Sequence, residues 1–448
     1  MGVREGMSEQ LRRRIESGEA LVGIIGLGYV GLPLAGAMHA GGYRVLGFDI
    51  DASKVESLRR GENYLKHLGD ALPRELARGG RFEATTDFSR LGEADAVLVC
   101  LPTPLTASRE PDLSYVVRAG EQIGRTLRPG QLVVLESTTY PGTTREEFHR
   151  AIRSAAGAGL ELGRDYFLAF SPEREDPGRT THTTGTIPKL VGGVDAASGA
   201  LAAALYRRAI ARVVEVSSAE VAEGAKLLEN IFRSVNIALV NEMKVAFDAM
   251  GIDVWEVIEA ASTKPFGFMA FYPGPGLGGH CIPIDPFYMS WKAGQVGAPA
   301  RLIALAGEIN HEMPGRVIER LATALEVRGG FLAGARVLVL GLAYKPDIDD
   351  VRESPAFEIL EMLRERGARP DYSDPHVPRT HAMRRHDLGM EGVALTPEGV
   401  AGYDACVLVT NHRAFDYALL ARHARLMVDT RNAFRAFERE MGDRLVRA

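Results

Sequence analysis

Cysteine is scarce in this chain, and no two cysteines are neighbours. Cys100, Cys281 and Cys406 lie far apart, with no CxxC pair and no metal-ligand spacing. That argues against a disulfide framework or a zinc site and fits a reducing, cytoplasmic compartment. Long basic runs are missing too, and the net charge is −5, so nucleic acid is not an expected partner. No apolar core follows Arg12, Arg13 and Arg14, so residues 1–20 do not read as a signal peptide. The opening Met-Gly is followed by Gly6 where myristoylation wants Ser or Thr,. The one uncharged stretch, Leu21 to Met38, holds five glycines and Pro33. It reads as a buried strand, a tight turn and a helix start, not as a membrane span.

What is present is the make-up of a globular enzyme. At 448 residues, 46% apolar and 25% charged, the chain is too long for one core, and two or three domains are expected. Apolar strands at 21–26, 43–49, 94–100 and 131–137 alternate with helical stretches, the pattern of βαβ units in a parallel sheet. Strand-like runs at 167–173 and 189–193 follow. Residues 217–250 then read as one long helix, opened by a capping box of Ser217 and Glu220 and stopped at Gly251. Leu227, Leu228, Ile231, Val235, Ala238 and Leu239 recur on it at helical spacing. A second helix surrounds Val254 to Ala261, and a Gly/Pro-rich loop fills 266–286. Another βαβ series begins at 335–341 and continues through a helix from Ser354 to Arg366 and strands at 368–374, 403–410 and 424–430. The expected fold class is therefore α/β. Two Rossmann-like doubly wound domains are joined by a helical middle domain with a long central helix. The expected boundaries are an N-terminal extension (1–20), a first domain (21–210), a helical domain (211–320) and a second Rossmann-like domain (321–448).

Gly26-Leu27-Gly28-Tyr29-Val30-Gly31 follows the first strand and opens a helix. Its glycines suit a tight turn, close approach of a pyrophosphate and close helix packing. Asp49 closes the second strand, where a carboxylate accepts hydrogen bonds from a ribose diol and repels a 2′-phosphate, so NAD is expected over NADP. Lys54 either helps hold the adenosine end or is a solvated helix lysine.

Six motifs in order, GLGYVGLPLA, ESTTYPGTT, SPEREDPG, AKLLEN, PGPGLGGHCIPIDP and GLAYKPDIDDVRESP, resemble the UDP-glucose/UDP-N-acetylglucosamine/UDP-N-acetylmannosamine dehydrogenase family. The resemblance runs from about Leu21 to Asn432. SPEREDPG with GGHCIPIDP is most similar to the bacterial UDP-N-acetylglucosamine 6-dehydrogenase branch. It implies an NAD domain, a central domain carrying a dimer contact and a domain that binds a UDP-sugar. The implied reaction is a four-electron oxidation of a primary alcohol to a carboxylate through a cysteine thiohemiacetal and thioester. Cys281 is the implied nucleophile, while Cys100 and Cys406 read as buried filler. His280 departs from the small residue of the glucose enzymes, and either tunes the thiol or is structural. Lys226 and Asn230, four apart on the long helix, are implied in the active site, the lysine stabilising oxyanions. Asp285 is implied to position a water or that lysine, Glu173 to activate the hydrolytic water and Thr139 to hold it. Pro177 stands where glucose enzymes carry a second glutamate, which leaves the choice of base open. Tyr29, Val30, Thr103, Thr139 and Arg352 are implied cofactor contacts. Arg174, Phe266, Gly267, Gly278, Lys345 and Arg431 join Glu173, Lys226 and Asn230 as implied substrate contacts, an arginine fork suiting a diphosphate. No metal and no membrane partner is expected. UDP-N-acetylglucosamine leads among substrates, ahead of UDP-N-acetylgalactosamine, UDP-N-acetylmannosamine and UDP-glucose. Rival readings are a two-electron dehydrogenase of hydroxy-acid type and a catalytically idle NAD-binding regulator.

Overall fold

The computed structural model describes residues 6–448 except 66–67, 107, 158, 175–183, 280–281 and 384. His280, Cys281 and Pro177 therefore lie outside the described residues. The chain divides into two compact units, Met1–Glu229 with Trp291–Ala298, and Asn230–Ser290 with Pro299–Ala448.

The first unit is built on eight strands: β1 (Leu21–Ile25), β2 (Arg44–Phe48), β3 (Phe82–Thr85), β4 (Ala96–Val99), β5 (Gln131–Leu135), β6 (Tyr166–Phe170), β7 (Lys189–Gly193) and β8 (Val213–Val216). Their order is β3-β2-β1-β4-β5-β6-β7-β8. The first six strands in space have the dinucleotide-fold order, which reverses between β1 and β4. Every pairing is parallel except β6 with β7. Successive residues of β5 feed opposite faces: Leu132 and Val134 pack into one core layer, Val133 and Leu135 into the other. Both faces are covered, which is why these strands read as unbroken apolar runs.

The second unit holds β9 (Arg336–Leu340), β10 (Arg369–Ser373), β11 (Ala405–Leu408), β12 (Met427–Asp429) and β13 (Leu445–Arg447). They form an all-parallel sheet in the order β10-β9-β11-β12-β13. This is the first topology without its third strand. The likeness of the two chain ends therefore holds for the strands nearest the reversal, and not for the whole sheet.

Three strands escape the sequence pattern: β3, β8 and β13. All three are sheet edges, and β8 and β13 have no fully buried residue. An edge strand covered on few sides carries no apolar run to detect. The N-terminal extension also proves structured. Met7–Ser17 is a helix that buries Leu11 and Ile15, worth about 1.5–3 kcal/mol each. The Tyr43 hydroxyl donates to the Ile15 carbonyl (3.2 Å), and Arg14 pairs with buried Asp95 (2.7 Å).

The long helix is Ala219–Ala249. Its cap sits one residue later than expected, because the Val221 amide donates to the Ser218 hydroxyl (3.4 Å) and Glu220 turns to Arg145 instead (2.6 Å). More telling is which face it buries. Glu223, Lys226, Asn230, Ser234, Asn241 and Lys244 are buried, whereas Leu228, Phe232 and Leu239 are 66%, 47% and 52% exposed. Of the apolar residues that recur along it, Leu227 and Ala238 are buried with these polar groups, whereas Leu228 and Leu239 are not. The helix therefore buries a stripe of polar side chains beside its apolar ones and leaves a second group of apolar side chains exposed, unlike an ordinary amphipathic helix.

Candidate functional site

In the first unit the turn after β1 is held by what its glycines lack. Gly26 has φ +90°, and a Cβ there would lie 2.4 Å from the Cys100 carbonyl oxygen; one on Gly31 would lie 1.8 Å from that of Gly26. Gly28 has open space around its missing Cβ. The helix Gly31–Ala40 starts here, so its free amides and this gap form a cradle that suits a pyrophosphate. Tyr29 and Val30 are half-buried beside it, and Thr103 is buried.

Asp49 is buried at the end of β2. Its Oδ2 accepts the Leu27 amide (2.9 Å) and lies 3.4 Å from Lys54 Nζ, while its Oδ1 accepts the Asp51 amide (2.9 Å). Lys54 thus turns to the carboxylate. A carboxylate has about four lone-pair sites, so one remains for a ribose hydroxyl. Asp49→Ala is expected to weaken NAD binding by about 10–100-fold, from the loss of a charged hydrogen bond, and to raise the NADP/NAD ratio. Kd values for both cofactors check this. Equal use of both by the unmodified protein would count against the role.

Thr139 is fully buried, and its hydroxyl has no hydrogen-bond partner among the described residues. An orphaned buried hydroxyl is costly and asks for a ligand or water. The loop that follows it is tied to the long helix by Glu223. The Glu223 carboxylate accepts the Gly142 amide (2.7 Å), the Thr144 amide (2.9 Å) and the Thr144 hydroxyl (2.7 Å). Burial pushes its pKa up to about 7 against these donors. Lys226, one turn further along the same helix, is buried. Glu173 follows β6; its Oε1 accepts the Arg174 amide (2.7 Å), and its Oε2 lies 3.7 Å from Lys189 Nζ. The Arg174 guanidinium is engaged by Glu229 (2.6 Å) and the Pro188 carbonyl (2.8 Å). Neither Glu223 nor Lys189 stood out in the sequence. Lys189 opens an apolar strand, and a charge at that place was the available signal.

In the second unit Asn230 Nδ2 donates to Asp285 Oδ2 at 2.5 Å, both side chains being buried. Asp285 opens the helix Asp285–Gln295. Phe266 is 71% exposed, and Gly267 has φ +70°. The Gly-rich loop packs where side chains would not fit. A Cβ on Gly278 would lie 2.5 Å from Tyr344 Cβ, and one on Gly274 would lie 2.6 Å from Arg431 Nη1. Arg431 is positioned by Asp429, which accepts its amide (2.8 Å), and its Nε donates to the Val409 carbonyl (2.8 Å). Burial brings its pKa down to about 10. A half-buried guanidinium with its Nε already turned to a carbonyl suits an anionic ligand at its remaining donors. Arg352 is instead paired with Asp350 (2.6 Å), and Lys345 is half-buried on the same loop.

The turn after β9 repeats the first unit's device. Gly341 has φ +87°, and a Cβ there would lie 2.4 Å from the Thr410 carbonyl oxygen. Asp374, closing β10, accepts the amides of Leu342 (2.6 Å) and Ala343 (3.1 Å) on Oδ2 and those of His376 (2.7 Å) and Val377 (3.0 Å) on Oδ1. His412 Nδ1 accepts the Asp347 amide (2.9 Å), so its Nε2 is the donor to Asp374 (3.0 Å). Among the described residues, Asp347, His376 and His412 are the one group close enough to share a metal, but both ring nitrogens of His412 are already engaged.

Three stretches of the chain match the UDP-glucose/GDP-mannose dehydrogenase family: its NAD binding domain over 20–210, its central domain over 220–312 and its UDP binding domain over 338–436. A UDP-N-acetyl-D-glucosamine 6-dehydrogenase of Pseudomonas aeruginosa is 37% identical over 88% of this chain and 91% of its own. The structure of a UDP-D-ManNAc dehydrogenase from Pyrococcus horikoshii is 33% identical and superposes with a TM-score of 0.82, over 92% of this chain and 95% of that one. An NDP-N-acetyl-D-galactosaminuronic acid dehydrogenase of Methanosarcina mazei gives 31% and 0.80, over 99% and 97%. No helix among the described residues is long and apolar enough to cross a membrane.

Proposed function

Since the chain belongs to the UDP-glucose/GDP-mannose dehydrogenase family and is an NAD-dependent oxidoreductase, we propose that it oxidises C6 of UDP-N-acetylglucosamine from alcohol to carboxylate. The observation that carries this reading is the buried polar stripe of the long helix, with Lys226 on it and Asn230 holding Asp285. Groups of this kind are costly to bury without a task.

NAD, bound at the Gly26–Gly31 turn with Asp49 on its ribose, supplies the hydride acceptor for both oxidations. Lys226 faces the oxygen where negative charge develops and stabilises it in a site from which water is excluded. Asp285, oriented by Asn230, fixes the proton arrangement around that oxygen. The Cys281 thiolate forms a C–S bond to the aldehyde carbon, and the resulting thiohemiacetal loses a second hydride to become a thioester. Water held by Thr139 then attacks that carbon while Glu173 takes its proton. The C–S bond breaks and its electron pair returns to sulfur. Each sugar consumes one water and two NAD and yields two NADH, the carboxylate and three protons. Arg431 takes the diphosphate, with Lys345, Phe266, Gly267 and Gly278 as further substrate contacts and Arg352 as a cofactor contact. The outward apolar face at Leu228, Phe232 and Leu239 is the contact of a homodimer, since a patch of this kind marks an interface. The setting is cytoplasmic.

NADH production against a panel of UDP-sugars tests the assignment. The expected result is two NADH per sugar with UDP-N-acetylglucosamine preferred. A clean ratio of one would overturn the four-electron reading in favour of a hydroxy-acid type of dehydrogenase. Preference for UDP-N-acetylmannosamine is the second reading, favoured by the match to the Pyrococcus structure.

A further inference from the structure

We propose that Lys189 is a positioning residue for thioester hydrolysis: from the start of β7 it holds the carboxylate of Glu173, while Glu136 and Tyr206 hold Lys189. This rests on the reading above, in which Glu173 takes the proton of the attacking water.

The argument begins with the one reversed strand. β7 runs antiparallel to β6, pairing Ala169 with Gly193 and Phe170 with Gly192. Continuing that register brings Lys189 opposite Glu173, and the Ser171 hydroxyl donating to the Leu190 carbonyl (2.7 Å) keeps the two segments together. A parallel β7 would put its first residue at the far end of the sheet. Reversal delivers Lys189 to the rim formed by the carboxyl ends of the parallel strands, where ligands bind in such folds.

At that rim each N–H of the ammonium has a direction to take. One donates to Glu136 Oε2, one to the Pro172 carbonyl (3.2 Å), and the third side faces Glu173 Oε2 at 3.7 Å. Glu136, at the end of β5, is completely buried, and its other oxygen accepts the Tyr206 hydroxyl. Burial alone would lower the pKa of Lys189, but the facing carboxylates of Glu136 and Glu173 outweigh it and hold the amine protonated. Among the described residues, the other titratable neighbours include Cys100 and Tyr206, which burial keeps neutral, and Arg174, whose charge is turned to Glu229. A buried ion pair of this sort gives a fold little that well-packed apolar residues would not. What it does here is set the orientation and charge of Glu173.

The prediction is a pair of opposite shifts. In the full-length enzyme with UDP-N-acetylglucosamine and NAD, rapid quench gives the rate of acid release after both oxidations, as a function of pH. Glu136→Gln removes the carboxyl that shares Lys189 with Glu173, and leaves Lys189 to Glu173 alone. Its acid limb is expected to move to lower pH, by about half a unit or more. Lys189→Met combined with Glu136→Gln removes the cation without leaving a buried unpaired carboxylate, and its acid limb is expected to move to higher pH. Limbs that stay in place, or that move in the same direction, would overturn the assignment. If the double variant does not fold, Glu136→Gln alone decides, since an unshifted limb is enough to refute it. An unmodified enzyme that gives two NADH per sugar alongside unshifted variants refutes only the role of Lys189. An unmodified enzyme that makes no acid from any UDP-sugar removes the functional reading and this inference together.

Discussion

Glu173→Gln is expected to release a burst of NADH near two per active site, and then to stall with the sugar attached to Cys281. In the proposed mechanism both oxidations need the cofactor cradle and Lys226, and the second also needs the thiol; this substitution touches none of them. Only the proton acceptor for the attacking water is lost, so hydrolysis becomes the slow step, by about 100–10,000-fold for a general base. The adduct should appear as a mass increase on Cys281 in the quenched protein. Cys281→Ser is the complement. A hydroxyl is a far weaker nucleophile without a strong base, so turnover should collapse while binding of UDP-sugar and NAD survives. If Glu173→Gln gives no adduct and merely slows the first hydride transfer, Glu173 is not the base. Asp285 or a water on Thr139 would then take that role.

The second large effect separates two glycines of one turn. Gly31→Ala places a methyl 1.8 Å from the Gly26 carbonyl oxygen. Backbone must move to relieve it, and β1 and the helix Gly31–Ala40 are both anchored there. The expected outcome is a drop in melting temperature of about 5–15 °C or failure to fold, from overpacking of about 1–3 kcal/mol or more. Gly28→Ala meets nothing within contact distance, so its melting temperature should stay close to that of the unmodified protein. Its methyl would instead occupy the place of a pyrophosphate, and NAD affinity should fall at least tenfold. Thermal melts and NAD titrations of the two variants check the pair. Equal melting temperatures would show that Gly31 is not needed for close packing.

Much of this was legible in the residues themselves. Buried strands announce themselves because a sheet covered on both faces favours apolar residues at every position, as β4 and β6 show. The Gly26–Gly31 turn, Asp49 and the helix start at Ser354, which caps the helix Pro355–Glu365, are local patterns, and local patterns survive in a sequence. Edge strands such as β8 do not, since half their surface faces water. The long helix is harder to read for a deeper reason. Periodicity tells that apolar residues recur, but it cannot tell which of them turn inward when Leu227 and Ala238 are buried beside Lys226 and Asn230 while Leu228 and Phe232 are exposed. Lys189 was hidden in another way. It meets Glu136 and Glu173 only because one strand is reversed, and strand direction is written nowhere in the residues that reverse.

The aspartates that close β2 and β10 stand at the same place in the two sheets and are occupied to different degrees. Asp49 spends its carboxylate on two amides and a lysine and keeps a lone pair to spare. Asp374 is besieged by five donors, four amides and an imidazole, which is more than its oxygens can fully serve. Asp374 is thus an internal rivet of the second sheet, with no acceptor site left for an outside hydroxyl. A carboxylate at the same place in a fold need not serve a ligand; it is enough that the chain's own donors use up its valence from within.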